Sequence, residues 1–153
     1  MGLFLIPFDE IKINKMRLFY IFLALLFSDF SISQTEGIAG KYQIISDATN
    51  AYIKSTLDLH PNGTFEFHDY YKIDANLGPP KHRYGRGTWT VDKKVITLIT
   101  TESDIDKKYK LNFSGTQGRF IIKSPRDKSD RKIPTSIRFF KSEILPGWNL
   151  LKI

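Results

Sequence analysis

His60, His68 and His82 are the only imidazoles in a chain of 153 residues that has no cysteine. A metal centre would have to gather them with an oxygen ligand such as Asp69 or Asp74, because zinc-type sites need at least three protein ligands. His60 and His68 flank the Asn62-Gly63 turn. Counting outward from that turn pairs Pro61 with Thr64, His60 with Phe65, Leu59 with Glu66 and Asp58 with Phe67, which keeps the two histidines apart. No metal and no cofactor are expected. A nucleophile fares no better: the chain has no Cys, no G-x-S-x-G elbow and no Gly-rich phosphate loop. The carboxylate pairs Glu66 with Asp69 and Glu102 with Asp104 sit among Lys and Thr, the composition of a solvated face. The chain therefore reads as a non-enzyme with no catalytic residue.

Binding chemistry is better represented. Tyr70, Tyr71 and Tyr84 lie beside a loop at 73–82 that carries Asn76-Leu77-Gly78-Pro79-Pro80, and Arg83 and Arg86 follow it. Tyrosines offer large apolar contact with a hydroxyl at one end, so these five residues are the candidate ligand contacts. A second basic cluster, Lys123, Arg126, Lys128, Arg131 and Lys132, spans a Pro-bounded loop at 124–134, interrupted by Asp127 and Asp130. With a formal charge of +7, an anionic glycan, a lipid headgroup or the acidic face of an envelope protein would suit such loops.

The compartment narrows those partners. Lys12, Lys15 and Arg17 precede an apolar run at 18–27, and Ser31 and Ser33 give a small-x-small pattern before Gln34. This is a signal peptide, residues 1–33, with cleavage before Gln34 and Met16 as the expected true start. The run is about half of the ~20 residues needed to cross a bilayer, so no stable membrane anchor is expected. The product is exported, periplasmic or secreted, and nucleic acid is not an expected partner there. Removing 1–33 deletes three basic and three acidic residues, so the charge belongs to the mature domain at 34–153. Without disulfides to staple it, that domain must rely on an apolar core, for which ~120 residues suffice. A monomer is expected.

The mature part alternates apolar and polar residues with the period of two that buries one face of a strand. Leu57 and Leu59, then Phe65 and Phe67, share one parity, while Asp58, Glu66 and His68 take the other. Asn62-Gly63 between them predicts a hairpin with a type I′ turn. Further strands are predicted at 83–91, 95–101, 109–113, 119–123 and 136–141, and no amphipathic helix is. About eight short strands with turn residues between them imply an all-β fold: one antiparallel up-and-down barrel or strongly curved meander. Phe65, Phe67, Trp89 and Phe139 are its expected core.

The succession Gly40-Lys41-Tyr42, Leu57-Asp58-Leu59-His60-Pro61-Asn62-Gly63-Thr64-Phe65, Gly87-Thr88-Trp89 and Val95-Ile96-Thr97-Leu98 resembles the small exported lipocalin-like domains of bacteria over residues 40–140. The resemblance implies an up-and-down barrel that binds a small apolar or amphipathic ligand or an envelope partner without chemistry.

Overall fold

The computed structural model describes residues 37–73 and 78–153. The expected signal segment, residues 74–77 of the 73–82 loop and with them Asp74 lie outside the described residues. Nine strands form one sheet: β1 (Gly40–Ala48), β2 (Ala51–Leu59), β3 (Thr64–Ile73), β4 (Lys81–Asp92), β5 (Val95–Ile99), β6 (Tyr109–Leu111), β7 (Thr116–Ile121), β8 (Ser136–Lys141) and β9 (Asn149–Lys152). Omitting β6, each strand pairs antiparallel with the next, and β9 returns to β1 through Tyr42↔Lys152 and Gln43↔Leu151. The fold is thus a closed, eight-stranded, antiparallel up-and-down barrel. The only helical turn among the described residues is a 3-10 segment, Glu102–Asp104.

The count of eight holds for the ring, although its membership differs from the sequence expectation. The predicted strand at 109–113 forms as β6, but it lies outside the ring and runs parallel to β4 at Tyr84↔Tyr109 and Gly85↔Leu111. The ring is closed instead by β9, which was not predicted. Four residues behind Pro146-Gly147 are too few for alternation to register.

The Asn62-Gly63 hairpin forms by a different turn. Gly63 N–H donates to His60 O at 3.0 Å and His60 N–H to Thr64 O at 2.9 Å. Only Gly63 has positive φ (83°), so the turn begins one residue earlier than type I′ requires. Pro61, with φ fixed near −65°, suits the second position of such a turn. Gly63 is the extra residue that brings Leu59 opposite Phe65 and Asp58 opposite Glu66, correcting the pairing counted from the turn. The counted register would have set Leu59 against Glu66 and placed a carboxylate in the core.

The common face of the ring is filled. Tyr42, Leu57, Phe67, Ile96, Leu98, Phe113, Ile137, Phe139 and Leu150 are at most 2% exposed, and Phe65 and Trp89 join them. Eight strands enclose about the space such side chains occupy. Each fully buried Leu or Phe contributes roughly 1.5–3 kcal/mol by area. Trp89 Nε1–H donates to His60 O at 3.0 Å, pinning the hairpin turn to β4. Gly85 on β4 leaves the space that the Phe113 ring takes; a Cβ there would lie 2.4 Å from that ring. This contact holds the chain after β6 against the barrel.

Candidate functional site

Beyond their short pairings with β9 and β5, strands β1 to β4 extend as a four-stranded sheet whose two faces carry different chemistry. On the face continuous with the barrel interior, Asp69 (1% exposed) accepts from Ser55 Oγ at 2.7 Å and from Arg83 Nε at 2.9 Å, with Arg83 Nη2 on the same oxygen. No buried side-chain N or O among the described residues lacks a partner. This trio closes the apolar core with a satisfied polar layer, and its carboxylate is committed to a guanidinium.

The outer face is built in rows set by register. Lys41, Asp58, Glu66 and Arg86 form the first; Gln43, Thr56, His68 and Tyr84 the second, prolonged by Tyr109 of β6; and Ile45, Lys54, Tyr70 and His82 the third. Tyr84 lies directly opposite His68, and their rings stack with centroids 4.6 Å apart and planes 5° apart. His68 Nε2 and His82 Nδ1 are 3.0 Å apart. Tyr70 meets His82 edge-on at 5.1 Å and Tyr52 at 5.9 Å, and Tyr109 meets Tyr84 edge-on at 6.1 Å. A continuous aromatic band therefore crosses β2, β3, β4 and β6.

Cations punctuate this band. Lys108 Nζ stands 4.9 Å from the ring centres of both Tyr84 and Tyr109, and the Arg86 guanidinium 4.5 Å from that of Tyr109. Asp106 positions them: its Oδ1 accepts from the backbone N–H of Lys108 (2.7 Å) and of Tyr109 (2.8 Å), and its Oδ2 from Arg86 Nη2 (3.2 Å). Those backbone bonds, Tyr109's foremost, hold the Asp106 carboxyl below its usual range. Arg86 also donates through Nε to Asp104 O at 3.0 Å. Between Lys108 and Tyr109 on one side and Ile153 on the other lies an open groove of about 630 Å³, floored by Thr56, His68, Tyr70 and Tyr84. Its flanks carry Lys41 and Lys54, while Asp58 in the first row is 3.6 Å from Lys41 Nζ.

The titration of His68 follows from this setting. Burial, then His82, Lys54 and Lys108, push its pKa below 6.5, against the pull of Asp69 behind the sheet.

Of the five candidate contacts, the structure brings Tyr70, Tyr84 and Arg86 to the outer face, and Tyr71 and Arg83 to the opposite one. Arg86 is occupied in fixing the 104–109 segment, and Arg83 in neutralising Asp69. His60 stays apart, 4.0 Å from Asp58 at the turn. No group of three His, Asp or Glu side chains among the described residues converges as a metal cradle. Sequence reasoning did not place Lys54, Lys108 and Tyr109 in a site. Lys54 was accessible from parity, whereas Lys108 and Tyr109 arrive through β6, a parallel pairing that no local pattern announces. The 124–134 loop is ordered around Asp127, which accepts from Ser129 N–H at 2.9 Å and pairs with Arg131 at 3.8 Å. Neither a scan against protein-family models nor a search of curated proteins returns a match for this chain.

Proposed function

We propose that this chain is an exported, lipocalin-like binding module without catalytic activity, and that it takes a small amphipathic ligand in the groove on the outer face of β1 to β4 rather than inside the barrel. The observation that carries this reading is the convergence of Tyr70, His68, Tyr84 and Tyr109 with Lys54 and Lys108 around one groove of about 630 Å³, within the size range of small-molecule sites. The packed interior, to which Tyr42, Phe67 and Phe113 contribute buried rings, argues against a ligand held in the lumen. The signal-like segment before Gln34 supports export.

Native mass spectrometry of the protein purified from its host tests this. Retained mass of a few hundred daltons, lost in Tyr84→Ala but kept in Tyr71→Ala, supports the outer groove. The reverse pattern would move the ligand to the inner face, and a bare mass would remove the reading. A second reading rests on the 124–134 loop, which Asp127 orders through Ser129 and Arg131 and which carries Arg126, Lys128 and Lys132, with Lys123 just before it bonded to Ser129 O. As a dock for an anionic glycan, lipid headgroup or envelope protein, it would bind with an affinity that falls steeply with salt.

A further inference from the structure

His68 and His82 are joined in an unusual way. Their facing nitrogens are 3.0 Å apart, their planes differ by 4° and their centroids are 5.2 Å apart. Those three values set the rings edge to edge in nearly one plane, with His68 lying over Tyr84. A bond between two imidazole nitrogens needs a proton on one and a lone pair on the other. The pair can therefore be neutral or hold one additional proton on an outer nitrogen. A second addition would set two N–H groups against each other and break the bond.

The charges facing this pair come from every neighbouring element. Lys54 faces it from β2, Glu66 and the phenol of Tyr70 from β3, Tyr84 and Arg86 from β4, and Lys108 from the segment before β6. Lys41 and Asp58 lie one row away, and Asp69 stands behind the sheet. Arg86 is held by Asp106, Asp69 by Arg83 and Asp58 by Lys41; Lys54 and Lys108 are the cations that bracket the pair, and the Glu66 carboxylate stands two residues before His68 on the same face. Both cations resist protonation of His68, and an anion seated between them would remove that resistance.

We propose that the groove binds the anionic head of an amphipathic ligand between Lys54 and Lys108, and that binding takes up a proton on the His68–His82 pair. This rests on the outer-groove reading and adds to it the charge class of the ligand and its regulation by pH. Coupling is reciprocal: if the anion favours the protonated pair, protons favour the anion. Affinity rises as the medium becomes acidic, by at most about tenfold per pH unit for one linked proton. The ligand is captured in acid and released near neutrality.

The test uses 2-naphthalenesulfonate, whose charge is constant across the range, and the uncharged 2-naphthol, titrated calorimetrically at about pH 5.5 and 7.5, values that straddle the ordinary histidine pKa. The expected result is a dissociation constant for the sulfonate at least about fivefold lower at the acidic pH, with proton uptake visible as a dependence of the heat on buffer. His82→Gln, at an exposed position, should flatten this dependence while Lys108→Gln weakens sulfonate binding at both pH values. Near-UV circular dichroism checks that each variant is folded. Sulfonate binding that is equal at both pH values, or a pH dependence that survives in both His82→Gln and His68→Gln, overturns the proton linkage. Binding of 2-naphthol alone overturns the anionic class and leaves the outer-groove reading standing. Failure of both probes to bind at either pH overturns the groove itself.

Discussion

Asp69 on β3 and Arg83 on β4 lie directly opposite each other, and a carboxylate only 1% exposed receives both Nε and Nη2 of a guanidinium that reaches solvent. Ser55 Oγ satisfies the other carboxylate oxygen. The arrangement carries a charge into the end of the apolar core only because three strands deliver its partners in register. Arg83→Gln would strand much of that charge, and we expect a loss of about 2 kcal/mol, as for hydrogen bonds to charged groups. Urea unfolding monitored by circular dichroism measures it. Loss of ligand binding without loss of stability would instead place Arg83 in a binding role.

Tyr42 is fully buried and its hydroxyl donates to Ile38 O. Burial raises its pKa from 10.0 to about 12. The folded state favours the neutral phenol, so this contribution is complete below pH 10 and is lost as pH rises through about 12. Tyr42→Phe should cost about 1 kcal/mol near neutrality and lose less stability than the parent between pH 10 and 12. Denaturant midpoints at several alkaline pH values check the crossover.

The pKa of His68 is depressed from 6.5, first by burial and then by His82. The fold thus favours the neutral imidazole; the associated stability is present above pH 6.5 and is lost as pH falls through the folded value. We expect the melting temperature without ligand to decline from about pH 7.5 to about pH 5, with a shallower decline in His68→Gln. A parallel decline in both proteins would assign the acid sensitivity to other groups.

Gly85→Ala would place a methyl 2.4 Å from the Phe113 ring. Because the ring is fully buried, it has little room to yield, and a cost of about 2–3 kcal/mol is expected for overpacking. The displaced Phe113 should also loosen β6, so the Tyr109 amide, which donates to Asp106 Oδ1, should exchange hydrogen faster. Unchanged stability would mean that Phe113 is less tightly held than its burial implies.

Much of the barrel can be read directly from the order of residues. Alternation between Leu57, Leu59, Phe65 and Phe67 and their polar neighbours identifies the buried face, and Pro61-Asn62-Gly63 identifies the hairpin, because both signals are local. The same alternation already separates Tyr70 from Tyr71 and Tyr84 from Arg83, although shared proximity to the 73–82 loop groups them together. The turn type was harder to read. Asn62-Gly63 suits a type I′ turn in isolation, but burying Leu59 with Phe65 selects the register in which Gly63 is an extra residue.

What the order of residues could not decide is which distant segments meet. β9 closes the ring with a few pairings whose value comes from completing hydrogen bonds on two edges at once, a property of the assembled sheet. β6 reaches Tyr84 by a parallel pairing, held by Phe113 over Gly85 and by Asp106 on Arg86. That pairing brings Lys108 and Tyr109 to His68 and Tyr84 on the outer face. Local propensity determined the strands and their two faces. The groove exists only once long-range closure, driven by burial of a single shared core, has fixed which faces become neighbours.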